Sequence, residues 1–292
     1  MLVQGTSETV RSSKTIPPVD VGSHQLLIVI RHGDRYDFAH PDKWAKTNTK
    51  RKHDPPLSSL GHRQARETGR FLDSYFTEIG IHADNVTLLS SPFLRTIQTA
   101  DNILDEFVTT PGDVAERVKI LPDNSVWELD GGGLWNYHSS LPSSMEERGW
   151  YYPRVDDSYQ SLFTPTLPES REDFLHRCDR VMQELHNRFD FVEKSAIIVV
   201  THAAGCVALA RAAANLTLQE INPAPPCGMY ILTRSCNTPI WSLDHHSIPS
   251  GANGFVGHVS DLGRHTFPWN HFGNKKENNG YTGPTRNDLE SL

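Results

Sequence analysis

The sequence predicts an α/β fold: a three-layer sandwich with a mostly parallel central sheet flanked by helices, carrying a lid-like insertion. Three observations predict it. Short, continuous apolar runs rich in β-branched residues recur along the chain, the mark of strands buried on both faces. Stretches with apolar residues at helical spacing separate those runs. The 292 residues, 37% of them hydrophobic, suffice for one large domain or two small ones, and no internal repeat points to a solenoid.

Taken in order, Gln25–Ile30 (QLLIVI) predicts the first strand. Ser58-Ser59-Leu60-Gly61 opens a helix that places Ala65, Thr68, Gly69, Leu72 and Phe76 on one face. Val86–Leu89 predicts a second strand, and Ser91-Pro92 leads into a helix through Ile97, Ala100, Ile103 and Leu104. Val118–Leu121 predicts a third strand. Arg171–Phe191 predicts a long amphipathic helix with Phe174, Cys178, Val181, Leu185 and Phe189 on one side. Ala196–Val200 (AIIVV) follows as a fourth strand, then an Ala-rich helix over Ala203–Asn215 and two further strands at Met229–Thr233 and Ile240–Leu243. Residues 131–170, rich in Gly, Pro, Ser and Tyr, break the alternation and read as an insertion or lid over the sheet edge. Residues 1–22 read as a disordered lead-in, 23–248 as the folded domain, and 249–292 as an irregular Gly/Asn/His-rich tail.

Composition removes several function classes. With 35 acidic against 28 basic residues, net charge −7, the chain is a poor match for nucleic acid or an anionic membrane. Its longest apolar runs are about five residues, far short of the ~20 that span a bilayer. The first residues lack the apolar core of a secretory signal, so a cytoplasmic protein is expected. Cys178, Cys206, Cys227 and Cys236 form no CxxC pair and read as buried thiols in a reducing compartment. The late histidines His245, His246, His258, His265 and His271 match no standard ligand spacing, so neither a metal nor a cofactor is expected. Nothing in the sequence reports oligomeric state.

Sheets of this kind bind ligands beyond the carboxyl ends of their strands. Those positions hold Arg31-His32-Gly33-Asp34-Arg35 after the first strand and Ser90-Ser91-Pro92, with Arg95 one turn on, after the second. Val126-Trp127-Glu128-Leu129-Asp130 follows the third strand and Thr201-His202-Ala203 the fourth. Such a set suits a phosphoryl group. Guanidiniums present planar forks of donors to phosphate oxygens, and helix N-termini add backbone donors. A neutral imidazole attacks phosphorus directly, and neighbouring Arg charges keep it deprotonated.

These motifs resemble the histidine phosphatase superfamily, also called phosphoglycerate mutase-like. The resemblance rests on Arg31-His32-Gly33, on Ser91-Pro92-Phe93-Leu94-Arg95-Thr96-Ile97-Gln98-Thr99-Ala100 and on Thr201-His202, and it covers roughly residues 24–245. It implies His32 as the nucleophile, with Arg31, Arg95 and His202 completing the phosphate pocket. The added Arg35 is similar to the Arg-His-Gly-Glu-Arg form in the phosphatase module of ubiquitin-associated and SH3-domain-containing regulators, which implies a further phosphate contact. The acid phosphatase branch places Asp after the late His and continues the first motif as Arg-x-Pro. Here Ala203 follows His202, and Tyr36-Asp37 follows Arg35. In the other branch a mid-chain Glu donates the proton. Glu128 fits that position, with Asp130 and then Asp34 as alternatives.

The expected activity is therefore that of a metal-independent phosphomonoesterase acting through a covalent phosphohistidine on a small-molecule or phosphopeptide ester. A mutase-type phosphotransferase and a non-catalytic regulatory module are the alternatives. The continuation Asp34-Arg35-Tyr36-Asp37-Phe38 lacks the Ser and Asn residues usual in mutases, and the intact set Arg31, His32, Arg95, Glu128 and His202 disfavours a non-catalytic module. Residues 36–51, with Trp44 and several lysines, and the aromatic stretch Trp135–Tyr159 are expected to shape the entrance.

Overall fold

A computed structural model describes residues 24–49, 53–107, 118–129, 149, 151–189, 191–221, 223–235 and 240–243. Strand β1 (His24–Arg31) is buried from Gln25 to Arg31. It pairs in parallel with β4 (Ser195–Thr201). β4 pairs in parallel with β2 (Val86–Ser90), and β2 with β3 (Ile120–Pro122). β5 (Met229–Ser235) runs antiparallel to β1, and the two-residue β6 (Ser242–Leu243) antiparallel to β5. The sheet order is β3-β2-β4-β1-β5-β6. In register, Arg31 lies opposite Thr201 and Ser90 opposite Val200, so the carboxyl ends of β1, β4 and β2 finish level with one another. That alignment creates the site.

Side-chain alternation along the strands divides the core in two. Leu26, Ile28 and Ile30 pack beneath α3 (Ser59–Ile79) and α4 (Leu94–Leu104). Leu27 and Val29 pack beneath α5 (Arg171–Arg188) and α6 (Ala203–Ala214). Strands with two covered faces need apolar residues at every position, which is why QLLIVI and AIIVV read as unbroken runs. Helix ends follow local chemistry. Ser58 caps α3 by accepting the Gly61 N–H, and Gly80, at φ 73°, closes it. Ser170 and Asp173 form a reciprocal capping box on α5.

The element order matches the α/β expectation, with shifted ends. β3 starts at Ile120 instead of Val118, and β6 keeps only Ser242–Leu243. α5 stops at Arg188, because Phe189 turns to φ −115°, ψ 93°. Within the 36–51 stretch expected to shape the entrance, two short helices form, α1 (Tyr36–Ala39) and α2 (Pro41–Ala45), the second started by its proline. Of the 131–170 insertion, the portion from 151 extends the sheet edge: Ile120 donates its N–H to the Arg154 carbonyl (2.8 Å) and accepts one from Asp156 (2.9 Å). Residues 131–148, the lead-in, the tail and Cys236 lie outside the described residues. No described helix is long and apolar enough to cross a membrane.

Candidate active site

β1 delivers His32 with its backbone held on both sides. The His32 N–H donates to the Thr201 carbonyl (2.9 Å), and its own carbonyl accepts the Cys227 N–H (3.2 Å). Gly33 lets α3 approach backbone to backbone: a Cβ there would stand 2.7 Å from the Gly61 carbonyl oxygen. The His32 Nδ1 lies 2.8 Å from the Gly33 carbonyl oxygen, which can only accept. Nδ1 therefore carries the proton in the neutral ring, and Nε2 keeps its lone pair.

β2 and β4 supply the opposite wall. His202, the N-cap residue of α6, is fully buried, and its ring centroid stands 5.4 Å from that of His32. Its Nε2 meets the Ser91 Oγ at 2.8 Å, just past β2. Its Nδ1 lies 3.1 Å from the Arg95 Nη2 and 3.1 Å from the Glu128 Oε2. Arg95, also fully buried, comes within 3.5 Å of the same carboxylate oxygen. Arg95 can only donate to Nδ1 and Glu128 can only accept from it. The Ser91 hydroxyl, able to do either, satisfies both tautomers of His202. Phe93 closes the site from below, 4.6 Å from the Arg95 guanidinium and 5.3 Å from the His202 ring.

The remaining candidates divide. Arg31 is buried and donates to the Ala224 carbonyl at 2.8 Å; burial lowers its pKa to about 10. Arg35 sits on the rim, forked onto Asp37 at 3.0 and 2.8 Å and stacked 4.3 Å over the Phe38 ring. Asp34 is a structural residue. Its carboxylate accepts the Ser58 hydroxyl at 2.5 Å and its carbonyl accepts the Ser58 N–H, which ties β1 to the start of α3. Asp130 lies outside the described residues. Among the described carboxylates proposed from sequence, Glu128 is the one the structure sets against His202.

Burial, then the charges of Arg95, His202, Arg31 and Arg35, hold the His32 pKa well below the ordinary imidazole value. Burial lowers His202 to about 4 despite the attraction of Glu128. Burial pulls Glu128 upward, but His202, Arg95 and Arg35 together outweigh it and leave the group at about 2. At neutral pH the site thus holds two uncharged imidazoles, one carboxylate and a surplus of guanidinium charge. His32, His202 and Glu128 each offer a ligand atom within 4.8 Å of the others, a set zinc could accept. The Arg95 guanidinium already stands beside two of those three groups as their cation. The arrangement is charged to receive an anion.

One consequence concerns stability. A histidine whose folded pKa is depressed binds its proton more readily when unfolded, so stability falls as pH drops from the unfolded value toward the folded one. For His202, that interval runs from 6.5 to about 4 and corresponds to roughly 3 kcal/mol. Denaturant midpoints are expected to fall steadily between pH 6.5 and 4, with a flatter profile for His202→Gln. Superimposable profiles would remove His202 as the cause.

Two contributors escaped the sequence reading. Ser91 stands in the sequence as the first residue of the Ser91–Ala100 motif, but nothing there marks its hydroxyl as the partner of His202. Arg177 lies within the amphipathic helix without being singled out by its period, although a charge between Phe174 and Cys178 on the apolar face is a visible anomaly.

Fold and site together define a class: an α/β protein whose sheet edge presents two imidazoles, buried guanidiniums and a carboxylate to an anionic ligand. The chain belongs to the histidine phosphatase superfamily, branch 1, whose family model matches residues 27–243. It is 25% identical over 237 residues to the uncharacterized phosphatase PhoE of Bacillus subtilis, covering 79% of this chain and 98% of that protein. It is 24% identical over 263 residues to mouse ubiquitin-associated and SH3 domain-containing protein A; the match takes in 76% of this chain and 39% of that longer protein. Among solved structures, the Bombyx mori ecdysone phosphate phosphatase bound to tungstate shares the fold at TM-score 0.59 and 18% identity, over 80% of this chain and 97% of that one.

Proposed function

We propose that the protein is a phosphomonoesterase in which His32 carries the phosphoryl group. The observation that carries this reading is the fixed His32 ring: Nδ1 is committed to the Gly33 carbonyl and the ring is held neutral beside Arg31 and Arg95. Nε2 attacks phosphorus, the P–N bond forms and the ester P–O bond breaks. Arg31, Arg95, the rim Arg35 and His202 hold the phosphoryl oxygens. Glu128 gives a proton to the departing oxygen, then takes one from the water that attacks the phosphohistidine, whose P–N bond breaks to release inorganic phosphate.

Glu128 is ionised in the free site, so its proton must arrive with substrate. A bound phosphate offsets the guanidinium charge that depresses Glu128, and a monoanionic ester brings the proton itself. Because the second phosphate pKa is about 6, kcat/KM is expected to fall as pH rises above that value. Its acid limb should lie below the ordinary imidazole range, where His32 becomes protonated.

The guanidiniums supply positive charge where other phosphatases place metal ions, which supports metal independence. Directly after the rim residue Arg35 the chain carries a cluster of rings, Tyr36 lying 4.9 Å from His40 and 6.3 Å from Trp44, which supports an aromatic wall for the organic group of the ester. An aryl or other apolar phosphate ester suits that wall, whether a small molecule or a phosphopeptide. The buried thiols Cys178 and Cys206 suit a reducing, cytoplasmic setting.

The test is release of inorganic phosphate from a panel of aryl, sugar and peptide phosphates, in chelator and without a bisphosphate primer. Sustained release is expected. A requirement for primer would support the mutase alternative, and no release from any ester would support a non-catalytic module. Loss of activity in chelator, restored by metal, would contradict metal independence.

A further inference from the structure

We infer that Arg177, paired with Glu169, is a positioning residue that sets the place of the Glu128 carboxylate. The inference rests on the proton-donor reading of Glu128 given above.

Glu128 arrives without a long strand behind it. β3 ends at Pro122, a single 3-10 turn (Asn124–Val126) follows, and Trp127 is already extended at φ −66°, ψ 162°. What holds this segment comes from α5, 50 residues further along the chain and packed against it. Arg177, buried on the apolar face of α5, forks onto Glu169, with Nε at 2.9 Å and Nη2 at 2.6 Å from its two carboxylate oxygens. Its other N–H groups reach across the chain. Nη1 donates to the carbonyls of Ser125 (2.7 Å) and Trp127 (3.1 Å), and Nη2 donates to the Glu128 carbonyl (3.4 Å). All five guanidinium donors are thereby directed to acceptors. The Val126 carbonyl between them accepts the Thr201 hydroxyl at 2.8 Å, one residue before His202. Four consecutive carbonyls, Ser125 to Glu128, are held by two side chains.

A buried ion pair is weak evidence for stability, since a matched apolar pair often does as well. An apolar pair, however, could not grip three carbonyls. The Glu128 Oε2 meets both His202 and Arg95 over distances of 3.1 and 3.5 Å, so a small shift of its backbone removes it from the leaving oxygen. Displacements near 1 Å cost on the order of a hundredfold in rate.

The test uses Arg177→Met, and the double variant Arg177→Met/Glu169→Met in case the single change leaves Glu169 unpaired and the chain misfolded. kcat/KM is measured for an alkyl phosphate, whose leaving oxygen needs a proton, and for 2,4-dinitrophenyl phosphate, whose leaving group needs none. Inhibition by inorganic phosphate is measured alongside. The expected result is a loss of about tenfold to a hundredfold for the alkyl ester. The dinitrophenyl ester should change little, and phosphate inhibition should hold, because Arg31, Arg95 and His202 are untouched. An equal loss for both esters in the folded variants overturns the inference, since it means only fewer competent molecules. Glu128→Gln separates the two layers. If Glu128→Gln shows the leaving-group dependence and the Arg177 variants do not, the positioning role falls alone. If Glu128→Gln shows none, the proton-donor reading fails and the positioning role with it.

Discussion

His32→Ala is expected to abolish turnover, with kcat at least about 10⁴-fold below the parent protein. Among the described residues of the site, the change removes the imidazole nitrogen whose lone pair is left available. His202 has both ring nitrogens engaged, by Ser91 on one side and by Arg95 and Glu128 on the other. Anion binding should survive. The His32 ring is uncharged in the resting site, so its removal leaves the guanidinium field intact. Inorganic phosphate should therefore still protect the variant against thermal unfolding at concentrations close to those effective for the parent. A variant that turns over within tenfold of the parent would exclude His32 as nucleophile.

Arg95→Met is expected to produce the second large effect, on binding and chemistry together. A phosphoryl oxygen loses charge-assisted hydrogen bonds worth about 1.5–3 kcal/mol each, and two such bonds correspond to roughly 10²- to 10⁴-fold in kcat/KM. Arg95 is also the cation beside Glu128, so its removal leaves the carboxylate buried with less compensation, and the Glu128 pKa should rise. A stability loss of about 3 kcal/mol accompanies that change. Arg95→Lys restores the charge without the planar fork and should fall between the two. Steady-state kinetics with denaturant melts check both parts. Unchanged phosphate affinity in folded Arg95→Met would contradict its placement in the pocket.

Much of this was legible in the sequence because buried parallel strands leave a strong trace. Leu26–Ile30 and Ala196–Val200 have no polar position, and His32 and His202 each stand two residues past such a run, where the strand hands over to the site. Glu128 was harder, since β3 is three residues long and the segment after it has no period of its own. Its place after a strand and the family resemblance point to it, with Asp130 and then Asp34 left open; Asp130 lies outside the described residues. Only geometry retired Asp34, by showing its carboxylate spent on Ser58. The α1–α2 pair was missed because helices of four and five residues carry too few positions for an apolar stripe. Arg177 escaped for another reason. Periodicity reports which face is buried, and a charged residue there reads as an exception until its partners, 8 and 52 residues away along the chain, are placed around it.

The central claim is that the phosphoryl group passes through a nitrogen of His32, and trapping that species tests it most directly. Protein mixed with a labelled phosphate ester is quenched in base, where a phosphoramidate survives and an acyl phosphate does not, and the labelled peptide is sequenced. One phosphoryl group per active chain, on His32 and absent from His32→Ala, is the predicted result. Label on any other residue, or rapid turnover with no label under conditions where release is rate-limiting, would contradict it.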